Sequence, residues 1–201
     1  MLNTLNYILN KYSVDPKSES PIDLPYTRND MAELFKELNF TVGAEIGVDR
    51  GLYAETLSKA NPGVKLYCID PWKVYNDYED LRDPHYMNVN YALTKRRLSP
   101  YNCKIIKKSS MGAIKDFEDE SLDFVYIDAN HDYKYVLEDI EKWSKIVKSG
   151  GIVSGHDYVW RSHRRSKNDV KDALNLYMKT NNIKPLFLFG KNSGSTWLFI
   201  K

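Results

Sequence analysis

The chain has 201 residues, of which 42% are hydrophobic and 28% are charged, and its formal net charge is +2. This length suits one sizeable core and does not require a second globular unit. The weak charge gives no reason to expect a nucleic-acid partner. No apolar run approaches the roughly 18 residues of a membrane span, so no membrane association is expected.

The two cysteines, Cys68 and Cys103, each lie within or beside an apolar, strand-like run. This placement indicates reduced core thiols rather than a disulfide framework, and it favours a cytoplasmic location. The first residues have helical spacing but lack the basic region and the cleavage site of a signal peptide, so none is expected.

Residues 1–40 are predicted to form an N-terminal helical extension. A short amphipathic helix precedes a polar linker over residues 15–25. A second helix is expected to begin near Asn29 or Asp30, with Glu33 placed as in a capping box. This extension should pack on the edge of the main domain or cover its active site.

From residue 41 onward, strand and helix patterns alternate, which predicts a mainly parallel sheet with helices on both faces. The last two strands, joined by a short Gly-rich turn, should form an antiparallel pair. The fold class is therefore α/β, a doubly wound, mainly parallel seven-stranded sheet with a C-terminal antiparallel hairpin, over residues 41–201. The expected strands are Val42–Ile46, Val64–Ile69, Lys104–Lys107, Leu122–Ile127, Ile152–Gly155, Pro185–Phe189 and Thr196–Ile200.

The junction between the first strand and its helix has the sequence GAEIGVDRG, from Gly43 to Gly51. Glycine at such a junction lets the backbone turn tightly and approach a ligand closely. Asp49 stands where a dinucleotide-binding loop has its middle glycine, and its carboxylate would repel a pyrophosphate. The loop is compatible instead with a cationic or zwitterionic ligand.

Two further strand ends carry residues that suit a nucleoside. Asp70 closes the second strand 23 residues after Gly47, the usual offset for an acid that binds ribose hydroxyls. Ser110 and Met111 follow the third strand, where a hydroxyl and a thioether could meet the edge and face of an adenine. Each feature alone also suits a turn or a helix cap, but their combination at strand ends favours a nucleoside site.

The run SLDFVYIDANHDY, residues 121–133, places an acid and a base at the carboxyl end of a buried strand. Asp128 ends this strand and His131 follows three residues later, while the next strand ends at His156 and Asp157. Because adjacent parallel strands end at one edge of the sheet, we expect Asp128, His156 and Asp157 to lie close together. These three suit a divalent cation such as Mg²⁺ or Mn²⁺, and His131 is a candidate general base for a substrate hydroxyl.

Two simpler interpretations of this cluster stay open. Asp128 could cap the following helix or contact a cofactor, and His156 could be a packed histidine with its hydrogen bonds satisfied. A basic run after the last parallel strand could bind an acidic group on a substrate or could be a solvated loop. Its members are Arg161, Arg164, Arg165 and Lys167.

Together these features resemble the class I S-adenosylmethionine-dependent methyltransferases. The resemblance is carried by GAEIGVDRG, by CIDPW at the end of the second strand and by the terminal hairpin KPLFLFGKNSGSTWLFI. It implies that the backbone around Gly47 and Gly51 cradles the methionine moiety, with Glu45 supporting that loop. The other contacts that it implies are Asp70 on the ribose, and Ser110 and Met111 beside the adenine.

The order of DANH, a helix with Trp143 and then GGIVSGHDY is similar to the small-molecule and sugar O-methyltransferases of this superfamily. In their metal-dependent sugar and macrolide members, an acid ends the fourth strand, a histidine three residues on acts as base, and two consecutive ligands end the fifth strand. Asp128, His131 and the pair His156-Asp157 match these positions, although an acidic ligand is more usual where His156 stands.

This resemblance implies methyl transfer to a hydroxyl of a small molecule or glycan, with a divalent cation as a second cofactor. The aromatic residues of the connection at 71–100, Trp72 among them, could cover the acceptor, and a homodimer is compatible with the pattern. Two other functions stay open: a nicotinamide-dependent oxidoreductase, which Asp49 and the terminal hairpin disfavour, and a non-catalytic member of the fold that serves as a partner subunit.

Overall fold

The structure of the protein is a computed structural model that describes residues 3–74, 83–159, 169–190 and 196–201. Within these residues the strands are β1 Ile22–Leu24, β2 Val42–Ile46, β3 Lys65–Ile69, β4 Cys103–Ile106, β5 Leu122–Ile127, β6 Val147–Gly155, β7 Phe187–Phe189 and β8 Thr196–Ile200. The helices are α1 Thr4–Lys11, α2 Arg28–Glu37, α3 Leu52–Ala60, α4 Pro84–Leu98, α5 Ser110–Ala113, α6 Tyr133–Ile146 and α7 Asp169–Thr180.

All the strands belong to one sheet, in the order β1-β7-β8-β6-β5-β2-β3-β4. The five strands from β6 to β4 are parallel, whereas β8 runs antiparallel to both β6 and β7. The α/β fold with a C-terminal antiparallel hairpin, predicted from the sequence, is confirmed. Because the chain continues from β2 to β3 on one side while β5 lies on the other, the ends of β2 and β5 flank a topological switch point, where ligands of such sheets bind.

In the described residues the sheet has eight strands, one more than the seven expected. Strand β1 lies inside the segment predicted as a polar linker, and it pairs in parallel with β7, Ile22 opposite Phe187 and Leu24 opposite Phe189. Its Ile-Asp-Leu sequence alternates apolar and polar residues, but three residues are too few for this pattern to predict a strand. The N-terminal segment therefore contributes a sheet edge as well as two helices.

Helix α2 begins slightly earlier than the sequence indicates. Thr27 is its N-cap, and Asp30, rather than Glu33, completes the capping box by accepting the Thr27 N–H at 2.8 Å. Its inner face buries Met31 and Phe35 completely. This packing fixes the start of α2 above the sheet, which matters for the site described below.

The core has two halves, one on each face of the sheet. Phe124 and Tyr126 of β5 pack with residues of α2 and α3, whereas Val125 and Ile127 pack with residues of α6 and α7. Strand β6 begins at Val147, before the Ile152 predicted as its start, and its pairing with β5 shifts register between Leu122 and Phe124. In the described ranges, no helix has both the length and the apolar composition needed to cross a membrane.

Candidate active site

The loop between β2 and α3 is held in shape by Asp70, at the end of β3. Its Oδ2 accepts the N–H groups of Val48 at 3.0 Å and Asp49 at 2.9 Å, and its Oδ1 accepts that of Trp72 at 2.7 Å. Burial raises the pKa of Asp70, and these backbone hydrogen bonds oppose the rise. The acid predicted to bind ribose thus also orders the loop, while its contact with ribose stays a prediction.

Both predicted glycines of this loop have positive φ, 88° at Gly47 and 72° at Gly51. A Cβ on Gly47 would overlap the carbonyl of Asp128, and a Cβ on Gly51 would come 3.2 Å from Thr94. The Asp128 N–H also donates to the carbonyl of Ile46 at 2.8 Å. The glycine loop and the carboxyl end of β5 are therefore packed directly on each other.

Asp49 has a φ of 48°, which is uncommon outside glycine, and three side chains hold it there. Its carbonyl accepts from Trp72 Nε1 at 2.7 Å and from Thr94 Oγ1 at 2.8 Å, and its carboxylate accepts from Asn90 Nδ2. Asn90 and Thr94 lie one turn apart on α4 and are 1% and 0% exposed. Trp72, expected to cover the acceptor, is instead buried against the loop, and the clamp from α4 was not predicted.

Glu45, predicted to support the loop, is buried in the middle of the sheet. Burial, and secondarily the charge of Asp128, raises the pKa of Glu45 well above that of an ordinary carboxyl, and the charge of Arg28 opposes this rise. Among the described residues, neither Glu45 Oε2 nor the hydroxyl of Tyr126 forms a hydrogen bond of ordinary geometry. Because unpaired buried polar atoms are costly, they mark a position suited to a polar ligand group or to water.

The ends of β5 and β6 bring two carboxylates and an imidazole together. His131 Nε2 lies 3.3 Å from Asp128 Oδ1 and 3.0 Å from Asp157 Oδ2. One ligand atom from each of these three residues lies within 4.8 Å of the others, a group that could hold a metal ion. His156 contacts Asp157 on its other oxygen, 2.7 Å from Nδ1 to Oδ1. The structure therefore places His131, rather than His156, between the two acids, and a ligand role for His156 stays a prediction.

The acids determine the protonation of His131. Its burial disfavours the imidazolium, but the hydrogen bonds and charges of Asp128 and Asp157 outweigh burial and raise the pKa of His131 to about 9. Burial would raise the pKa of Asp157, but His131 and His156 hold it down to about 2. At neutral pH and without another cation, His131 therefore keeps its proton and acts as a hydrogen-bond donor.

This protonation predicts a pH-dependent stability in the presence of a metal chelator. Because the pKa of His131 is higher in the folded chain, its contribution is fully present below about pH 6.5 and is lost as the pH rises through about 9. A shift of this size corresponds to about 3 kcal/mol. Urea unfolding at several pH values should show the loss in wild type and in His85→Gln, an exposed control, but a smaller one in His131→Gln. If the free energy of unfolding changed equally with pH in all three proteins, His131 would not be the source of the pH dependence.

The residues predicted to lie beside adenine belong to a second polar cluster, at the start of α5. The Ser110 hydroxyl donates to the carboxylate of Asp139 and accepts from Trp143 Nε1 at 2.7 Å. Burial raises the pKa of Asp139 to about 7, although the Ser110 hydrogen bond opposes the rise. Met111 is half-buried beside the same face of the sheet. An adenine would thus meet a hydroxyl whose proton is already donated, and Asp139 was not predicted as its partner.

Some predicted features lie outside the described residues: the basic run of Arg161, Arg164, Arg165 and Lys167, and part of the aromatic connection.

Comparisons with known proteins identify a family and several similar structures. Residues 44–158 match the profile of a family described as "Methyltransferase domain". A search of curated proteins finds no match. A candidate caffeoyl-CoA O-methyltransferase from Staphylococcus aureus has a similar structure, with a TM-score of 0.63 at 14% identity, covering 100% of this chain and 93% of that one.

Two further structures have bound cofactor. An O-methyltransferase from Bacillus cereus in complex with SAH has a TM-score of 0.62 at 14% identity, covering 98% of this chain and 90% of that chain. The O-methyltransferase TomG from Streptomyces achromogenes, involved in tomaymycin synthesis and in complex with SAM, has a TM-score of 0.62 at 12% identity, with coverages of 100% and 91%. At 12–14% sequence identity, these structural similarities show a shared fold and nothing more.

Proposed function

Since the chain belongs to the methyltransferase-domain family by its match over residues 44–158, we propose that it transfers a methyl group from S-adenosylmethionine to a hydroxyl oxygen of a small molecule or sugar. The observation that carries the proposal is the direct packing of the glycine loop on the strand end that bears Asp128. This packing sets a candidate cofactor loop beside the cluster of Asp128, His131 and Asp157. Residues 41–201 form the methyltransferase domain in this proposal, with residues 1–40 as its N-terminal segment.

The residues around the glycine loop fit such a cofactor. The backbone from Gly47 to Gly51 would hold the methionine moiety, Asp70 would bind the ribose, and Ser110 and Met111 would border the adenine. The unpartnered Oε2 of Glu45 supports a polar ligand group near this loop. S-adenosylmethionine would supply an electrophilic methyl group: as the acceptor oxygen bonds to the methyl carbon in line, the carbon–sulfur bond breaks and S-adenosylhomocysteine leaves.

The second cofactor in this proposal is a divalent cation held by the carboxylates of Asp128 and Asp157, so that the imidazole of His131 stays free to act as base. Carboxylate oxygens are ligands that both Mg²⁺ and Mn²⁺ accept. A cation at this place would lower the pKa of an acceptor hydroxyl.

The chemical role of this cluster is to orient the acceptor and to remove its proton. His131 is the proposed base, and its proton must be lost first, because the carboxylates of Asp128 and Asp157 stabilise the imidazolium. Neutralising either carboxylate lowers the pKa of His131 toward the range of a useful base. Orientation of the oxygen against the methyl group then contributes most of the rate enhancement.

Calorimetry with S-adenosylmethionine and S-adenosylhomocysteine tests the cofactor assignment. We expect binding of both and none of NAD⁺ or NADP⁺; the opposite result would favour an oxidoreductase. A panel of hydroxylated small molecules and sugars, incubated with methyl-labelled cofactor, tests the transfer. Absence of binding by both methionine-derived ligands would contradict the proposed function.

Metal addition gives a separate prediction. We expect Mn²⁺ to raise the melting temperature of the wild-type protein by several degrees, because binding to the folded state alone stabilises it. Asp157→Asn should lose most of this shift, whereas Asp116→Asn, which changes an exposed acid paired with Lys108, should keep it. Differential scanning fluorimetry measures the effect, and equal shifts in all three proteins would place the cation elsewhere.

The clamp on Asp49 predicts an effect on cofactor affinity. Thr94→Val keeps the shape of the side chain but removes the hydroxyl that donates to the Asp49 carbonyl, so we expect a loss of about 1 kcal/mol in stability. A less ordered loop should weaken S-adenosylhomocysteine binding about 3- to 10-fold. Thr56→Val is the control, because among the described residues its hydroxyl donates to the carbonyl of Leu52 in its own helix, at 3.2 Å, and to no other group. Unchanged affinity in Thr94→Val would show that the clamp does not act on the cofactor.

A cytoplasmic location and a homodimer are also part of the proposal. The location is supported by Cys68 and Cys103, which are both free thiols. The dimer is supported only by the exposed apolar side chains of Tyr86, Val89 and Leu93 on α4, and sedimentation velocity would test it.

A further inference from the structure

Arg28, the first residue of α2, brings a guanidinium from the N-terminal segment to the glycine loop. Its Cζ lies 5.0 Å from the centre of the Tyr53 ring, and its carbonyl accepts a hydrogen bond from the Tyr53 hydroxyl at 2.8 Å. Tyr53 follows Gly51 by two residues, at the start of α3. The two contacts therefore anchor Arg28 beside the loop that would hold the cofactor.

Buried polar atoms surround this guanidinium, and some of them lack ordinary hydrogen bonds. The ring of Tyr53 lies 4.3 Å, centroid to centroid, from that of Tyr126, which is in register with Glu45 across β5 and β2. Both Glu45 Oε2 and the Tyr126 hydroxyl are buried without an ordinary hydrogen bond in the described residues. The Arg28 guanidinium interacts with the Tyr126 hydroxyl and, more weakly, with the charge of Asp128.

The side chains around the loop include two acids and one guanidinium, and a zwitterionic ligand would interact differently with each kind of charge. Asp70 and Asp128 lie at the strand ends, and a positively charged ammonium or sulfonium suits acids. An α-carboxylate would be repelled by them and needs a cation. Arg28 is the guanidinium that packs on Tyr53 at the loop, and its planar fork can bind a carboxylate through two hydrogen bonds.

We propose that Arg28 binds the α-carboxylate of the cofactor's methionine moiety, so that the N-terminal segment completes the cofactor site. This inference rests on the proposed function and gives residues 1–40 a direct part in cofactor binding. A purely structural role, in which Arg28 only balances the charges of Glu45 and Asp128, would affect every fragment of the cofactor equally.

Calorimetry with two ligands separates these roles. S-adenosylhomocysteine carries the amino-acid group, whereas 5′-methylthioadenosine has the same adenosine and a thioether but no carboxylate. We expect Arg28→Gln to weaken S-adenosylhomocysteine binding about 10- to 100-fold, as the loss of a charged hydrogen-bonded pair does, and to leave 5′-methylthioadenosine within about twofold. Arg28→Lys should lie between wild type and Arg28→Gln. Lys36→Gln removes an exposed cation from the same helix and should change neither affinity.

Each other outcome has a distinct meaning. Unchanged S-adenosylhomocysteine affinity in Arg28→Gln, or equal losses for both ligands, would overturn the assignment of Arg28 while the proposed function stands. Wild-type protein that binds both ligands equally well would also overturn it, and this comparison needs no variant to fold. Wild-type protein that binds neither ligand would contradict the proposed function itself.

Discussion

Replacing His131 by glutamine is expected to lower the turnover of methyl transfer by about 100- to 10,000-fold, the usual contribution of a general base. The affinity for S-adenosylhomocysteine should change by less than about threefold. The reason is geometric: His131 contacts Asp128 and Asp157 at the strand ends, whereas Asp70 and Trp72 hold the cofactor loop. Transfer from methyl-labelled cofactor, to an acceptor found among hydroxylated compounds, measures the turnover.

The control for this variant is His85→Gln, which changes an exposed histidine in the first turn of α4. It should retain full turnover. Asp128→Asn gives a second check, because it should lower the pKa of His131 and move the acidic limb of the pH–rate profile to lower pH. Turnover of His131→Gln within tenfold of wild type would exclude a base role and favour a cluster that only orients the acceptor.

The sequence predicts which strand ends form this cluster, but it does not predict which histidine enters it. The apolar run of β5 ends on Asp128, and the meeting of β5 with β6 follows from the rule that parallel strands end at one edge. Which histidine enters the cluster depends on side-chain direction. Asp157 has a φ of 60°, and its two oxygens face His131 and His156 separately. A local left-handed conformation of this kind has no signature in the sequence around it, so His156 could not be separated from His131.

For the candidate cofactor loop too, features set by local sequence patterns were predictable, whereas contacts between residues far apart in the sequence were not. The positions of Gly47 and Asp70 are predictable because turns and strand ends have local patterns. Two of the three partners that fix Asp49 are Asn90 and Thr94, some forty residues away on α4, and the orientation of this helix depends on tertiary packing. The same is true of Arg28, whose position depends on how α2 docks on α3. The strand β1 was not predicted because its three residues are too few to form a recognisable alternating pattern, and its stability comes from pairing with β7.

Gly47→Ala is expected to destabilise the protein by about 2–4 kcal/mol and to abolish measurable S-adenosylhomocysteine binding. Two physical effects add here. The positive φ of 88° costs a residue with a Cβ about 1–2 kcal/mol. The new Cβ would also overlap the Asp128 carbonyl and approach Ala129 Cα, and because these are backbone atoms, no rotamer change can relieve the overlap. Either the loop or the end of β5 must move, and each would disturb both halves of the site.

Two control glycines separate these effects. Gly150 has a φ of 79° and nothing within 4 Å of an added Cβ, so Gly150→Ala should lose only the conformational part, about 1 kcal/mol, and bind the cofactor normally. Gly63 has open space and no positive φ, so Gly63→Ala should be neutral or slightly stabilising. Urea unfolding and calorimetry measure all three variants. If Gly47→Ala resembles Gly150→Ala in both measurements, the contact between the loop and Asp128 is not what shapes the site. If only Gly47→Ala loses binding, that contact joins the cofactor loop to the catalytic cluster.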